Sequence, residues 1–365
     1  MKMGSLVVAV LCAGSMCTLG QSSQTVFQTD LQSHGWHVDR GVLNGSWLPQ
    51  TLDFADDDSL WIAFPTEGSQ ALQSRSLSSG YEGKVLHLAQ SGNVVVECST
   101  GPMQWEYLRL FARQTDGFTF DAADKLVSYD SHCKEVAQYP TGMRIGTAFS
   151  PDRALIYTRS RDNNIHVLSN GTLQTLKAFD LPEGVNRKPV LFGDRSVVFP
   201  ITVQTKGCYQ MQLTRIDVKT GKTESWTTLD CTRYNLLGDD HIIYTSLKAD
   251  SPLEITGGGG STAEYMPPKD AYLDRSILDG SNPVESPQSL RVAEELIEAK
   301  GRHPSLDRSG KFVGRDIVLL DMHTGTALLT VKVPMDSLTY AYALSRDGKK
   351  FAVLLNSQLT VYRVP

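Results

Sequence analysis

Apolar positions in this chain come in short bursts bounded by turn formers, and almost nowhere at helical spacing. One unit recurs: an apolar run, a turn rich in Asp, Ser and Gly, and a second, strongly apolar run. It reads "LDFADDDSLWIAF" at 52–64, "FTFDAADKLVSY" at 118–129, "TAFSPDRALIYT" at 147–158 and "PVLFGDRSVVFP" at 189–200. Further copies are "YNLLGDDHIIYT" at 234–245, "HPSLDRSGKFVG" at 303–314 and "YALSRDGKKFAVL" at 342–354. Runs of β-branched and aromatic residues closed by such turns are strand signals. The seven copies recur at roughly 48 residues, the length of a four-strand unit that repeats around a ring. The expected fold is all-β, a seven-bladed β-propeller forming a single domain over 21–365. Six or eight blades stay compatible, because the fifth unit is stretched. One segment departs from the pattern. "SLRVAEELIEAKG" at 289–301 places Leu290, Ala293, Leu296 and Ile297 on one helical face, with Ser289 to cap it and Gly301 to stop it. It is expected to be a short helix on the outside of a sheet.

A second hairpin should complete each unit. "IDVKTGKTESW" at 216–226 and "LDMHTGTALLT" at 320–330 share one turn, Asp-x-x-Thr-Gly. Asp217 and Asp321 can accept backbone N–H bonds there, and Gly221 and Gly325 can take the left-handed conformation. These are expected to be the outer hairpins of units four and six. The last unit supplies three strands before the chain reaches Pro365. Its fourth is expected from the N-terminal part, within "SHGWHVDRGVLNGSWLPQ" at 33–50, which would hide open sheet edges. Insertions are expected near 65–83 and 249–302.

The turns "FSPDR" at 149–153 and "LSRDGKKFAVL" at 344–354 resemble those of the WD40-like and YVTN-type propeller superfamily, especially its secreted bacterial members with "SPDG"-type turns. The resemblance covers about residues 45–365. The Gly-His and Trp-Asp signatures of true WD40 repeats are missing from it. The resemblance implies architecture and is nearly silent on activity.

The N-terminus changes the setting of the chain. Residues 1–20 carry one charge at Lys2, an apolar run from Leu6 to Ala13 and then small residues, the layout of a cleavable signal peptide cut near Gly20/Gln21. The run is too short to span a bilayer, which takes about 20 residues. The expected location is secreted or periplasmic, with no membrane span. Of six cysteines, Cys98, Cys133, Cys208 and Cys231 remain after the leader, an even set that suits disulfides in an oxidising compartment. Asp217 opposite Lys222 carries the hairpin pairing outward through Arg215–Glu224 and Leu213–Trp226 to Cys208–Cys231, close enough for a bridge. Cys98–Cys133 follows by elimination, as a link between neighbouring blades.

Chemical motifs are scarce. The 365 residues carry a net charge of −5, which leaves no general footprint for nucleic acid. The chain has no G-x-S-x-G, H-E-x-x-H, P-loop or G-x-G-x-x-G, and none of its length is left over for an α/β-hydrolase domain. His34 and His37 make a poor metal pair, Asp56–Asp58 a solvated turn, and Gly257–Gly260 a flexible loop. No metal and no cofactor is expected. Asn44 and Asn170 head glycosylation sequons. The five Trp do not recur in phase, so a quinone-dependent dehydrogenase is not supported. The reading favoured is a non-enzymatic exported binding or scaffold module, monomeric, with an unknown protein or carbohydrate ligand. The alternative is a propeller-type hydrolase or lyase acting on carbohydrate, which needs convergent carboxylates. Loops at 65–83 and from Lys248 emerge on one face, and Arg75, Tyr81 and Tyr265 within them are the expected ligand contacts.

Overall fold

A computed structural model of the chain describes residues 24–36, 52–55, 58–66, 81–103, 108–113, 116–122, 125–141, 147–150, 153–159, 164–180, 191–192, 195–205, 209–230, 232–238, 241–246, 251–257, 262–273, 284–286, 288–300, 311–335, 337 and 340–365. These residues form a seven-bladed β-propeller. Strand β1 (Gln24–Asp30) comes first, followed by a single 3₁₀ turn at Leu31–His34. Blade one is β2 (Leu52–Phe54), β3 (Leu60–Pro65), β4 (Tyr81–Leu88) and β5 (Val94–Met103), ordered from the centre outward. Blade two is β6 (Leu108–Ala112), β7 (Gly117–Ala122), β8 (Lys125–Asp130) and β9 (Glu135–Pro140). Blade three is β10 (Thr147–Phe149), β11 (Leu155–Arg159), β12 (Asn164–Ser169) and β13 (Thr175–Asp180). Blade four is β14 (Leu191–Phe192), β15 (Ser196–Thr205), β16 (Tyr209–Asp217) and β17 (Thr223–Asp230). Blade five is β18 (Thr232–Leu237), β19 (His241–Ser246), β20 (Leu253–Gly257) and β21 (Thr262–Tyr265).

Blade six is β22 (Ala271–Leu273), β24 (Arg291–Lys300), β25 (Lys311–Asp321) and β26 (Thr326–Val333), with the short β23 (Val284–Ser286) also paired to β24. Blade seven is β27 (Tyr340–Leu344), β28 (Lys350–Leu355) and β29 (Gln358–Arg363), and β1 adds its outermost strand. The innermost strand of blade one touches those of blades two and seven, so the ring is closed. All pairings are antiparallel, so hairpins joining strands one to two and three to four share one face. The second-to-third hairpins and the links between blades share the other.

Burial explains the strand composition. Second strands are covered by a blade on each side, and Leu60–Phe64 of β3 is buried at every position. Outermost strands such as β9 and β13 are mostly exposed. The core lies between blades: Trp61, Ala63 and Val85 of blade one pack on Leu110, Phe118 and Phe120 of blade two. Fully burying a Val, Leu or Phe side chain of this kind contributes about 1.5–3 kcal/mol.

Several expectations change. Residues 291–300, expected to be helical, are β24. Val292, Ala293, Glu294, Glu295 and Leu296 are all buried, because this strand is second in its blade and has no solvent side to leave an alternating record. Five of the seven quoted units are inner hairpins. In blade two, however, "FTFDAADKLVSY" falls on β7 and β8, strands two and three, and in blade six the quoted copy ends on β25, the third strand. The fourth strand of blade seven is β1, ahead of the segment expected to supply it. Within 249–302, β20 and β21 are the outer strands of blade five, and β22 and β24 belong to blade six.

The two repeated turns are the outer hairpins of blades four and six. Gly221 and Gly325 have φ of 72° and 67°, and their N–H groups bond the Asp217 and Asp321 carbonyls at 2.7 and 2.8 Å. Arg215 pairs with Glu224 as expected, but a bulge between Leu213 and Thr214 sets Leu213 against Thr227 in place of Trp226. The register leading to Cys208 and Cys231 is therefore not continuous, and both cysteines lie outside the described residues. Cys98 of β5 and Cys133 of the β8–β9 hairpin are bonded, with Cα atoms 6.2 Å apart, tying blade one to blade two. Cys133, at φ 61°, occupies the hairpin position that Gly92 holds in blade one: each donates its N–H three residues back, to Asp130 and Ala89.

Candidate functional site

The inner hairpins of blades three and seven use one turn, and blade one uses a version one residue shorter. Ala55, Ser150 and Ser345 bond through N–H to the carbonyls of Ser59, Leu155 and Lys350, and receive N–H bonds from Asp58, Arg153 and Gly348. That donor sits in the left-handed region, at φ 61°, 55° and 72° respectively. Glycine adopts this conformation freely, whereas other residues give up roughly 1–2 kcal/mol. Arg153 holds the position despite that cost. Asn170 fixes it by donating from its amide nitrogen to the Arg153 carbonyl at 2.7 Å, while accepting from the Thr119 hydroxyl at 2.9 Å.

The side chain of Arg153 reaches across blade two to blade one. Its Nη2 lies 3.1 Å from Oδ1 of Asp53, and its guanidinium sits 5.9 and 5.5 Å from the ring centres of Phe111 and Phe149. Those two rings stack at 3.9 Å, giving the cation an aromatic surface. Asp53, in the innermost strand of blade one, is 4% exposed. Its Oδ2 accepts the Ala112 N–H of blade two at 2.8 Å. Burial pushes the Asp53 carboxyl above its usual range, opposed by Arg153, by the Ala112 N–H and by Arg346. Arg346 approaches from the turn of blade seven, and its carbonyl accepts the Ser286 hydroxyl of β23. Burial pulls its guanidinium down to about 10, with Asp53 acting in the other direction. Four blades therefore converge on one carboxylate at the channel end where the inner hairpins turn. Two guanidinium groups face it.

A second polar cluster joins blades six and seven. Glu295 of β24 accepts from the Tyr340 hydroxyl at 2.9 Å and the Tyr342 hydroxyl at 3.3 Å, and it pairs with Arg315. Burial, then Glu295, drives Tyr342 well above the usual phenol range. Glu294 is the next residue on the strand and so projects from the opposite sheet face. The two carboxylates do not oppose one another across a shared space, as glycoside hydrolysis requires.

Two of the expected contact residues, Tyr81 and Tyr265, lie on strands. Arg75 lies outside the described residues. Tyr81 opens β4, its backbone paired with Met103. Tyr265 belongs to β21 and not to a loop; it is 7% exposed in the core shared by blades five and six, and burial raises its phenol. His34 bonds Glu97 at 2.9 Å, and Lys84 holds the other Glu97 oxygen at 2.6 Å. Asp58 pairs with Lys350 at 3.2 Å. His37, Asp56, Asp57, Asn44 and Gly258–Gly260 lie outside the described residues, and Gly257 ends β20. Among the described residues no group of three metal-ligating side chains occurs, and no helix is long and apolar enough to cross a membrane. Sequence reading missed Asp53, Arg153 and Arg346. Local signals mark the first two: an Asp in an otherwise apolar inner strand, and an Arg where the turn calls for Gly.

No family model matches the chain, and no curated protein matches it either. Solved structures do. Hydrazine synthase of Kuenenia stuttgartiensis is 14% identical with a TM-score of 0.50, over 88% of this chain and 99% of that one. A chain of the mitotic checkpoint complex is 11% identical with a TM-score of 0.50, over 99% of both chains. The WD40 domain of Neurospora crassa Pan2 is 12% identical with a TM-score of 0.47, over 95% of this chain and 96% of that one. At these identities the likeness is one of fold.

Proposed function

We propose that this protein is an exported, non-enzymatic binding module, a monomeric rigid ring that presents one channel mouth to its ligand. The observation that carries the reading is the convergence of Asp53, Arg153 and Arg346 from three blades, with Ala112 of a fourth. Groups locked by packing on several elements are preorganised, and preorganisation lowers the cost of binding. Among the described residues, Asp53 is engaged with Arg153 and Glu295 with Arg315, which suits a scaffold better than acid–base chemistry on a sugar. Export rests on the layout of residues 1–20 and accords with the Cys98–Cys133 bond.

The test has two readouts. Full-length protein expressed with its leader is expected to begin at Gln21 when the purified product is analysed by intact mass. A thermal-shift panel of sugars, organic acids and phosphates, run beside a turnover assay on the same compounds, is expected to show stabilisation without consumption. Consumption of a glycoside or uronide would establish the hydrolase or lyase alternative.

A further inference from the structure

Asn170 heads the sequon Asn-Gly-Thr, but in the folded chain both polar atoms of its side chain are taken. We propose that Asn170–Gly171 is a site of spontaneous modification, losing its amide through a succinimide whenever the seam between blades two and three opens. Nothing in this depends on what the ring binds.

Three features support the assignment. First, Asn followed by Gly is the pair in which this reaction is least hindered, because no side chain shields the attacking backbone nitrogen. The fold demands both residues. Gly171 has a φ of 102°, and a Cβ there would come 2.8 Å from Nη1 of Arg113. Asn170 accepts the Thr119 hydroxyl of blade two at 2.9 Å and donates to the Arg153 carbonyl of blade three at 2.7 Å. Only an amide offers an acceptor and donors on so short a side chain.

Second, the Arg113 guanidinium lies against Gly171. A neighbouring cation favours loss of the Gly171 amide proton, the step that makes this nitrogen a nucleophile. Third, the Asn170 side chain is held from two elements at once. It is not free to turn its Cγ onto the Gly171 nitrogen until the seam opens locally.

In the opened state the Gly171 nitrogen gives its proton to water and attacks Cγ of Asn170. The N–Cγ bond forms, the Cγ–Nδ2 bond breaks, and Nδ2 takes up a proton and leaves as ammonia. Water then opens the succinimide at either carbonyl, giving aspartate or isoaspartate. The new carboxylate only accepts, so it cannot donate to the Arg153 carbonyl. The turn that carries Arg153 thereby keeps a permanent record of one opening.

The full chain is incubated in mildly alkaline buffer and mapped by peptide mass spectrometry for amide loss and isoaspartate, with Asn44–Gly45 as the internal control. Wild type is expected to accumulate isoaspartate at position 170, and to do so faster in urea below its unfolding transition. Thr119→Val removes one of the two holds and is expected to speed the reaction about fivefold, the effect of one hydrogen bond. Thr119→Ser keeps the hydroxyl and should react at the wild-type rate, and position 44 should behave alike in all three proteins. Equal rates at position 170 in wild type and Thr119→Val, or aspartate without isoaspartate, overturn the proposal. A parallel rise at position 44 in Thr119→Val also overturns it, because the whole fold has then loosened. If Thr119→Val does not fold, the urea series on wild type decides, and a rate at position 170 indifferent to urea overturns the proposal.

Discussion

The α-carbon of Gly325, in the outer hairpin of blade six, lies against the carbonyl oxygen of Glu264 in the outermost strand of blade five, with no room for a Cβ between them. Gly221 holds the same turn position in blade four, and a Cβ added there would meet nothing within 4 Å. The two hairpins share a sequence and a φ but not a neighbour. Gly221→Ala is therefore expected to lose only the left-handed allowance, about 1 kcal/mol. Gly325→Ala must also push two blades apart and is expected to cost about 3 kcal/mol or more, as overpacking and backbone strain combine. Urea midpoints of the two variants check this, and equal midpoints would contradict it.

The Cys98–Cys133 bond closes a span of 35 residues, and loop-closure entropy gives its loss a cost of about 4 kcal/mol. Reduction with a phosphine is expected to lower the urea midpoint accordingly. The left-handed backbone at Cys133 adds a finer expectation. With Cys98→Ala in common, Cys133→Gly should be more stable than Cys133→Ala by about 1 kcal/mol.

Removing one partner of the buried pair should expose the cost of the other. Arg153→Gln is expected to destabilise by about 3 kcal/mol, near the low end for a broken buried pair, since Asp53 keeps its backbone donor. The Asp53→Asn/Arg153→Gln double variant should lose less than the sum of the singles. Because the folded carboxyl of Asp53 titrates above its unfolded value, the fold binds its proton more tightly. Stability should therefore rise as pH falls from the folded value toward the unfolded one, and level off below it. Arg153→Gln should steepen that rise, as followed by denaturant titrations from pH 7 to pH 4.

Tyr265 separates a packing role from a contact role. Tyr265→Ala is expected to cost about 3 kcal/mol through the cavity left between blades five and six. Tyr265→Phe should keep that packing and leave ligand affinity unchanged; a tenfold loss in Tyr265→Phe would restore it as a contact.

Local turn chemistry made the ring legible. "SPDR" and "SRDG" name the residues that close an inner hairpin, and they do so within a few positions. Blade two was misphased because the Asp-bearing turn joining β7 to β8 resembles the inner turns of the neighbouring units, although its own inner turn, closed by the Arg113 N–H on the Gly117 carbonyl, carries Asp116-Gly117. The helix expected at 289–301 came from helix-forming residues in "AEELIEAK", whose preference is a few tenths of a kcal/mol each and yields to burial on both faces of β24. The charged cluster was out of reach for another reason. Arg153 and Asp53 are 100 residues apart, and only the ring's curvature brings blades one, three and seven to the same spot.

Closure of the ring also fixes how the protein responds to force. In blade seven Gln24 pairs with Arg363 and Asp30 with Gln358, so the first and last strands meet with their chain ends side by side. Tension applied at those two ends would open the ladder one rung at a time, as a zipper opens, instead of loading every rung in shear. A short covalent splice between the same ends, with a new break made between blades, would turn that weakest seam into an ordinary hairpin.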